Sequence, residues 1–148
     1  MKHQRQAGFL MAKIHQLAGR VFSRKLKEYG INEINPSQGR ILFVLWRQNN
    51  IPINELAKAT SLGKSTLTSM LDRLEAMGYV ERKPSKEDRR KIIIARTEKD
   101  KTFQKQYVKL SQEMNRLFFQ GFTEDEIDLF EIHLQRIFDN MKKLENPD

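Results

Sequence analysis

Mainly α-helical with one small β-hairpin is the fold class that the sequence predicts, and three observations predict it. Long stretches free of proline carry apolar residues at three- and four-residue steps, the spacing of one helix face. Between residues 53 and 77 two such stretches are short, and only Ser61-Leu62-Gly63 separates them. Directly after them Gly78 leads into Tyr79-Val80-Glu81-Arg82-Lys83 and, past a polar loop, Lys91-Ile92-Ile93-Ile94-Ala95, a β-branched run that suits a strand. Helix, turn, helix and hairpin in that order make a winged helix-turn-helix, here flanked by N- and C-terminal helices.

The first flanking helix runs from Phe9 to Tyr29 with one internal glycine, Gly19. Leu10, Ile14, Leu17, Val21 and Phe22 form one stripe, and Ala18, Phe22, Leu26 and Tyr29 a second beside it. Two stripes make an apolar face wider than one neighbour covers, and Gly30 stops the helix. Asn35-Pro36-Ser37-Gln38 starts the next: Asn35 can cap, Pro36 fits the first helical position, and Gln38 closes a capping box. Ile41, Leu42, Leu45 and Trp46 face inward, Trp46 reading as a core anchor with a binding role as the alternative.

Asn49, Asn50 and Pro52 read as a loop before a helix from about Ile53 to Thr60 that buries Leu56 and Ala57. The small Ala57 leaves room for the next helix to cross closely. Many such turns use glycine where this chain has Ser61, and Leu62 is expected to point into the core. The second helix, about Lys64 to Met77, buries Leu67, Met70, Leu71, Leu74 and Met77. Its outer face is Ser65, Thr68, Ser69, Asp72 and Arg73, with Lys64 and Thr66 at the open N-terminal end. Small hydroxyls compete for backbone bonds and are poor helix formers on a solvated face. They make sense where the face must approach base edges and phosphates. Gly63 stands at the cap, leaving the first amides and the positive end of the helix dipole free for a phosphate.

The hairpin's loop is expected over Pro84–Arg90 and its return strand over Lys91–Ala95. Thr97, with Asp100 three residues later, starts a helix on which Phe103, Tyr107, Leu110, Met114 and Leu117 recur at four- and three-residue steps up to Gly121. About 24 residues at 1.5 Å each give about 36 Å, longer than a small domain's own core requires. Thr123-Glu124-Asp125-Glu126 is a capping box for the last helix, where Ile127, Phe130, Leu134, Ile137, Met141 and Leu144 form a narrow seam for a partner helix. The tail beyond Glu145 is expected to fray. These seams predict a homodimer.

The 148 residues favour one domain with appended helices, and 39% hydrophobic against 31% charged residues allow a core under a very polar surface. The net charge of +8 suits an anionic partner, solubility alone being the plainer reading. Residues 1–29 carry seven Lys/Arg against one Glu, residues 82–96 carry seven against Glu87 and Asp88, and residues 101–148 carry seven against nine acids. On the second short helix Lys64 and Arg73 are offset by Asp72 and Glu75, so the cationic footprint is expected on the hairpin and the N-terminal region.

Catalytic readings fail one by one. No cysteine is present, which removes disulfides, thiolate metal sites and thiol catalysis. Gly63-Lys64-Ser65-Thr66 ends like a phosphate-cradling loop, but Lys58 stands where the pattern needs glycine and a helix precedes it instead of a strand. Asp125, Glu126, Asp128 and Glu131 lack calcium-loop spacing. His3, His15 and His133 are scattered, and no serine sits on a strand-to-helix elbow. No enzyme, no cofactor and no metal site are expected. No apolar run reaches membrane-span length and the start Met1-Lys2-His3-Gln4-Arg5 lacks a signal-peptide core, so a cytoplasmic location without membrane association is expected.

The motifs Glu55-Leu56-Ala57, Ser65-Thr66-Leu67-Thr68, Leu71-Asp72-Arg73-Leu74-Glu75, Gly78-Tyr79-Val80-Glu81-Arg82, Asp88-Arg89-Arg90 and Thr97-Glu98-Lys99 together resemble the MarR family of transcriptional regulators. The motif match covers about Ser37 to Asp100, and beyond it only the helix pattern agrees. The resemblance implies a dimer built on the first, fifth and sixth helices, binding double-stranded DNA at a pseudo-palindromic operator. Residues 1–34 then form the N-terminal dimerisation helix, 35–96 the DNA-binding domain and 97–148 the C-terminal dimerisation helices.

On the family's pattern Ser65, Thr66, Thr68 and Ser69 fall on the major-groove helix face, and Arg73 on a phosphate- or base-contacting position; Lys64, at the helix's open end, is expected to contact DNA with them. Ser69 replaces a basic residue of many relatives, which removes a bidentate guanine contact and shifts weight to the wing and to DNA shape. Asp88 is implied to fix Arg90, so that Arg90 or Arg89 enters the minor groove. The resemblance further implies a repressor relieved by a small anionic aromatic ligand in a cleft lined from Lys13, Arg20, Phe43, Trp46, Phe103 and Tyr107. The peroxide-sensing branch needs a cysteine and is excluded. The alternative is a winged-helix adaptor that docks protein without specific DNA binding; an RNA-binding role is weaker still, because the basic stretches lack stacking aromatics.

Overall fold

In the computed structural model, which describes residues 4–145, six helices and three short strands follow in the order α1 (Ala7–Glu28), α2 (Pro36–Arg47), β1 (Ile51–Pro52), α3 (Ile53–Thr60), α4 (Lys64–Ala76), β2 (Val80–Pro84), β3 (Ile92–Arg96), α5 (Glu98–Phe118) and α6 (Glu124–Glu145). His3 and the tail beyond Glu145, both named above, lie outside the described residues. Two compact units result, one closing at Ser111 and the other opening at Gln112.

Local chemistry sets the helix ends of the first unit. Asn35's side-chain oxygen accepts from the Gln38 amide at 2.8 Å while Gln38 Oε1 accepts from the Asn35 amide at 3.0 Å, the reciprocal capping box expected for α2. Gly78 takes φ +84° between α4 and β2, a backbone state that a side chain disfavours. Thr97 Oγ1 accepts from the Asp100 amide at 3.3 Å as α5 begins. Gly39 serves packing: a Cβ there would stand 2.7 Å from Tyr107 Oη, so only glycine lets α5 approach α2 this closely.

The core gathers Ile41, Leu42 and Leu45 of α2, Leu56 of α3, Leu71 and Leu74 of α4, and Leu110 of α5, all without solvent exposure. Each such side chain contributes roughly 1.5–3 kcal/mol on burial. Of the two stripes on α1, the inner one packs: Leu26 is buried and the Phe22 ring meets Tyr107 edge-on at 5.7 Å. The outer stripe stays open, with Phe9, Leu10, Ile14 and Leu17 exposed. Ala57, Leu62, Met70 and Met77, expected to be buried, are only half-buried.

The wing is more than a hairpin. The stretch read as a loop contains β1, whose Ile51 and Pro52 pair antiparallel with Ile94 and Ile93, giving a sheet of order β1-β3-β2. A two-residue strand holding proline has no period of its own; the backbone of β3 creates it. Both hairpin strands also lie one residue later than expected, with Pro84 inside β2 opposite Ile92 and β3 reaching Arg96. Pro84 is tolerated there because β2 is an edge strand.

In the second unit Thr123 and Glu126 form their capping box, with amide-to-side-chain bonds of 3.1 and 3.2 Å. Phe119 packs edge-on against Phe118, Phe122 and Phe130. No residue of α6 is buried: of its seam, Ile127 and Phe130 are half-buried, while Leu134, Ile137, Met141 and Leu144 are exposed, Leu144 to 73%.

Trp46 Nε1 donates to both oxygens of Asp100, at 2.9 and 3.0 Å, and Asp100 is 0% exposed. Replacing Trp46 with Phe keeps the ring but removes a donor to a buried carboxylate, a loss of about 1.5–3 kcal/mol. Urea unfolding of the variant should show that loss; an unchanged midpoint would mean that the indole bond does not hold α2 to α5.

Candidate nucleic-acid interface

The turn between α3 and α4 is closed from both sides. Buried Thr60 donates its hydroxyl to the Leu56 carbonyl at 2.8 Å, and Ser61 turns the chain with φ 58° and ψ 26°. That is the left-handed state for which glycine is the usual residue, so serine carries strain here. Gly63 then supplies an extended N-cap with no side-chain bond, so no capping side chain covers the first amides of α4.

From that start the two faces of α4 separate as the sequence implies. Leu67, Leu71 and Leu74 are buried, and Lys64, Ser65, Thr66, Thr68, Ser69 and Arg73 are all exposed. The hydroxyls are not equivalent. Thr68 Oγ1 donates back to the Lys64 carbonyl at 2.9 Å, so its proton is committed within the helix. Ser65, Thr66 and Ser69 have no internal hydroxyl partner among the described residues, and their donors point outward unspent.

The charge balance along α4 needs correction. Arg82, on β2, donates from Nη2 to Asp72 at 2.8 Å and from Nη1 to Glu75 at 3.0 Å, and its own amide donates to Glu75 at 3.0 Å. Asp72 and Glu75 are therefore satisfied by the wing and do not offset Lys64 and Arg73, which have no carboxylate partner among the described residues. The exposed face of α4 is positive. In the sequence Arg82 counts only as wing charge; its partners lie seven and ten residues back, and only the fold brings them together.

In the wing loop, Ser85 Oγ accepts from the amides of Glu87 and Asp88, both at 3.3 Å. Asp88 Oδ1 accepts from the Arg90 amide at 3.0 Å and from Arg90 Nε at 3.2 Å. Those bonds, the backbone one foremost, hold the Asp88 carboxyl below the usual range, so it stays charged. Asp88 thus holds the Arg90 guanidinium through Nε and, at 3.5 Å, Nη2, while the Arg90 side chain is 91% exposed. Arg89 is exposed beside it. Lys64, Arg90 and Lys91 converge on a groove of about 440 Å³ between α3, α4 and β3, floored by Ile53, Ala57 and Leu67.

The six residues expected around a ligand cleft do not form one wall. Trp46, Phe103 and Tyr107 make a closed aromatic cluster, with centroids 5.0 to 6.2 Å apart, completed by Tyr79 and Phe22. Burial pushes the Tyr107 phenol up to about 12, and burial with the Glu33 hydrogen bond does the same for Tyr79. Phe43 lies at the cluster's exposed edge, 6.5 Å from Trp46. Lys13 lies over Phe9 on the open face of α1, and Arg20 opens on a groove facing the start of α2. Among the described residues no group of three or more His, Asp or Glu could hold a metal ion.

Comparison with known proteins places this geometry. The family model described as the MarR family matches residues 34–92. YsmB of Bacillus subtilis, an HTH-type transcriptional regulator, is 31% identical over 110 residues, covering 74% of this chain and 75% of YsmB. The multiple antibiotic resistance protein MarR of Salmonella typhimurium is 27% identical over 131 residues, covering 88% and 89%. A mutant MarR from E. coli, solved in complex with operator DNA, matches with a TM-score of 0.77 at 26% identity over 88% of this chain and 91% of that one. The match to YfiV of Bacillus subtilis spans 56% of that relative's length, and the match to TtmR of Methylorubrum extorquens 35%.

Replacing Ser61 with Gly should relieve the left-handed turn and raise unfolding stability by roughly 0.5–1 kcal/mol, the side chain's strain less glycine's unfolded-state entropy. Denaturant unfolding measures it; equal or lower stability would show that the turn into α4 is unstrained.

Proposed function

The chain belongs to the MarR family, and we propose that it is a homodimeric, sequence-specific DNA-binding transcriptional repressor that a small anionic aromatic ligand releases. It is a DNA-binding regulator and not an enzyme. The observation that carries the reading is the surface shared by α4 and the wing. There three unspent hydroxyl donors, an uncapped helix start and four outward cations (Lys64, Arg73, Arg89 and Arg90) stand on one winged helix.

In this reading α4 enters the major groove. Ser65, Thr66 and Ser69 contact base edges, Thr68 packs its methyl, and Lys64 and Arg73 grip phosphates on either side. Asp88 holds Arg90 ready for the minor groove with Arg89 beside it, which lowers the entropy lost on docking. Residues 35–96 form the DNA-binding part, and 1–34 and 97–148 the dimerisation elements. Two faces support the dimer: Phe9, Leu10, Ile14 and Leu17 on α1, and Leu134, Ile137, Met141 and Leu144 on α6, more exposed apolar surface than a monomer usually carries. A pair of winged helices related by a two-fold axis reads a pseudo-palindromic operator.

For the ligand, Phe43 and the half-buried edge of Trp46 are the accessible part of the aromatic cluster, whereas Lys13 and Arg20 lie elsewhere along α1, over Phe9 and on the groove toward α2. No helix among the described residues is long and apolar enough to cross a membrane, and we place the protein in the cytoplasm, where its DNA is.

Selection of bound genomic fragments, followed by binding of an enriched fragment to an Arg90→Ala variant, tests the reading. The parent should enrich a pseudo-palindrome. The variant should lose about 1 to 2 kcal/mol of affinity, with a salt slope shallower by about 1 per protomer, and still dimerise. No enrichment at moderate salt would favour a protein-docking adaptor, and parental affinity in the variant would remove the wing from the interface.

A further inference from the structure

α1 carries cations that neither the core nor the winged helix explains. Arg20, Arg24 and Lys27 follow at four- and three-residue steps, which puts them on one helix face about 10 Å long. With His15 they line an open groove of about 720 Å³ between α1 and the Asn35-Pro36-Ser37 start of α2. No carboxylate lines this groove, and none of the three cations has an acid partner among the described residues. Asn35 is already committed to its capping box.

The row does not stop at α1. An adjoining groove of about 490 Å³ shares Ser23, Lys27 and Asn35 with the first and reaches Arg73 at the far end of α4. Its one carboxylate, Glu33, is engaged by the Tyr79 hydroxyl at 2.9 Å and by Lys99 at 3.4 Å. A positive path therefore leads from the recognition helix through Lys27 and Arg24 to Arg20. Like charges gathered without counter-ions repel one another, a cost that a polyanion removes. The form of the path also selects its occupant. Both grooves are open and long, whereas sites for small ligands enclose them between apolar walls. At 3.4 Å of duplex axis per phosphate along one strand, the row on α1 faces about three phosphates.

We propose that Arg20, Arg24 and Lys27 form an auxiliary phosphate-binding edge, along which the duplex flanking the operator half-site lies after it leaves Arg73. The proposal rests on the DNA-binding reading above and adds contacts beyond the bases that α4 and the wing address. These contacts are sequence-independent: they lengthen the footprint and steepen the salt dependence without changing which sequence is preferred.

The test measures binding against salt for the full chain and for an Arg20→Gln, Arg24→Gln, Lys27→Gln triple variant, on an enriched genomic fragment with and without its flanks. All three side chains are exposed, so the variant should unfold at the parental denaturant midpoint. On the long fragment its slope of log K against log salt should be shallower by about 3 per protomer. Its ranking of operator variants should be unchanged. Trimming the flanks should flatten the parent's slope and leave the variant's alone. An unchanged slope in the variant would overturn the proposal. So would a variant that binds DNA as the parent does but is no longer released by salicylate, which would make the row a small-anion site. A parent that binds no DNA with steep salt dependence would instead remove the reading on which the proposal stands.

Discussion

One buried carboxylate holds the winged-helix unit in register. Asp100 has no solvent exposure, and its two oxygens take Trp46 Nε1 from α2 and Arg96 Nε, at 2.6 Å, from the end of β3. Arg96 is held in turn by Gln104 Oε1 on α5 and, through its amide, by Asn49 after α2. Leaving that charge buried without Arg96, its ionic partner, costs about 3–5 kcal/mol, more than the loss of the indole bond alone. Among the described residues no buried side-chain polar atom lacks a partner, which is the condition for a polar node to specify a structure instead of loosening it. The neighbouring Thr97 hydroxyl donates to the Gly78 carbonyl at 2.6 Å and so ties the exit of β3 to the end of α4.

A second tie acts from outside. Arg82 reaches from β2 to Asp72 and Glu75 on α4, with its guanidinium partly shielded and the carboxylates largely open. Surface ion pairs of this kind add at most about 1 kcal/mol each, so their effect is chiefly geometric. Arg82 thus fastens the wing to α4 from without, while Asp100 fastens the end of β3 to α2 and α5 from within. The same pairing decides charge. Because the wing spends Arg82 on the helix's acids, Lys64 and Arg73 are left without carboxylate partners among the described residues, and exposed cations stand on both helix and wing.

What the sequence could reveal was local. The capping residues Asn35 with Gln38 and Thr123 with Glu126, the stop at Gly30 and the leucine face of α4 follow from spacings of three and four residues, and each is found as expected, though Met70 and Met77 are only half-buried. Features made by distant partners were hidden. β1 exists because Ile93 and Ile94 offer it a backbone, 41 and 43 residues away in sequence from their partners. Asp100 reads as a helix-start residue, and nothing near it announces that Trp46, 54 residues earlier, will donate to it. A ligand cleft drawn from aromatic positions alone could not separate rings that stack on one another from rings left open. Charge offset along a helix misleads for the same reason, since the partner of a surface acid need not lie on its own helix.

The division along α1 follows from composition once the fold is known. Its outer half presents Phe9, Leu10, Ile14 and Leu17 to solvent, while Arg20, Arg24 and Lys27 stand farther along on a helix whose one acid is Glu28. Glu28 is taken by Lys25 at 3.2 Å, so it does not offset the groove-facing cations. Solubility alone would be served by mixed signs, and mixed signs would also stabilise the helix through pairs four residues apart. Keeping one sign forgoes that gain. The gain is forgone coherently only if the helix has two partners, an apolar one for its first half and an anionic one for its second. The proposed joining to a second copy and the proposed lie against DNA would supply both.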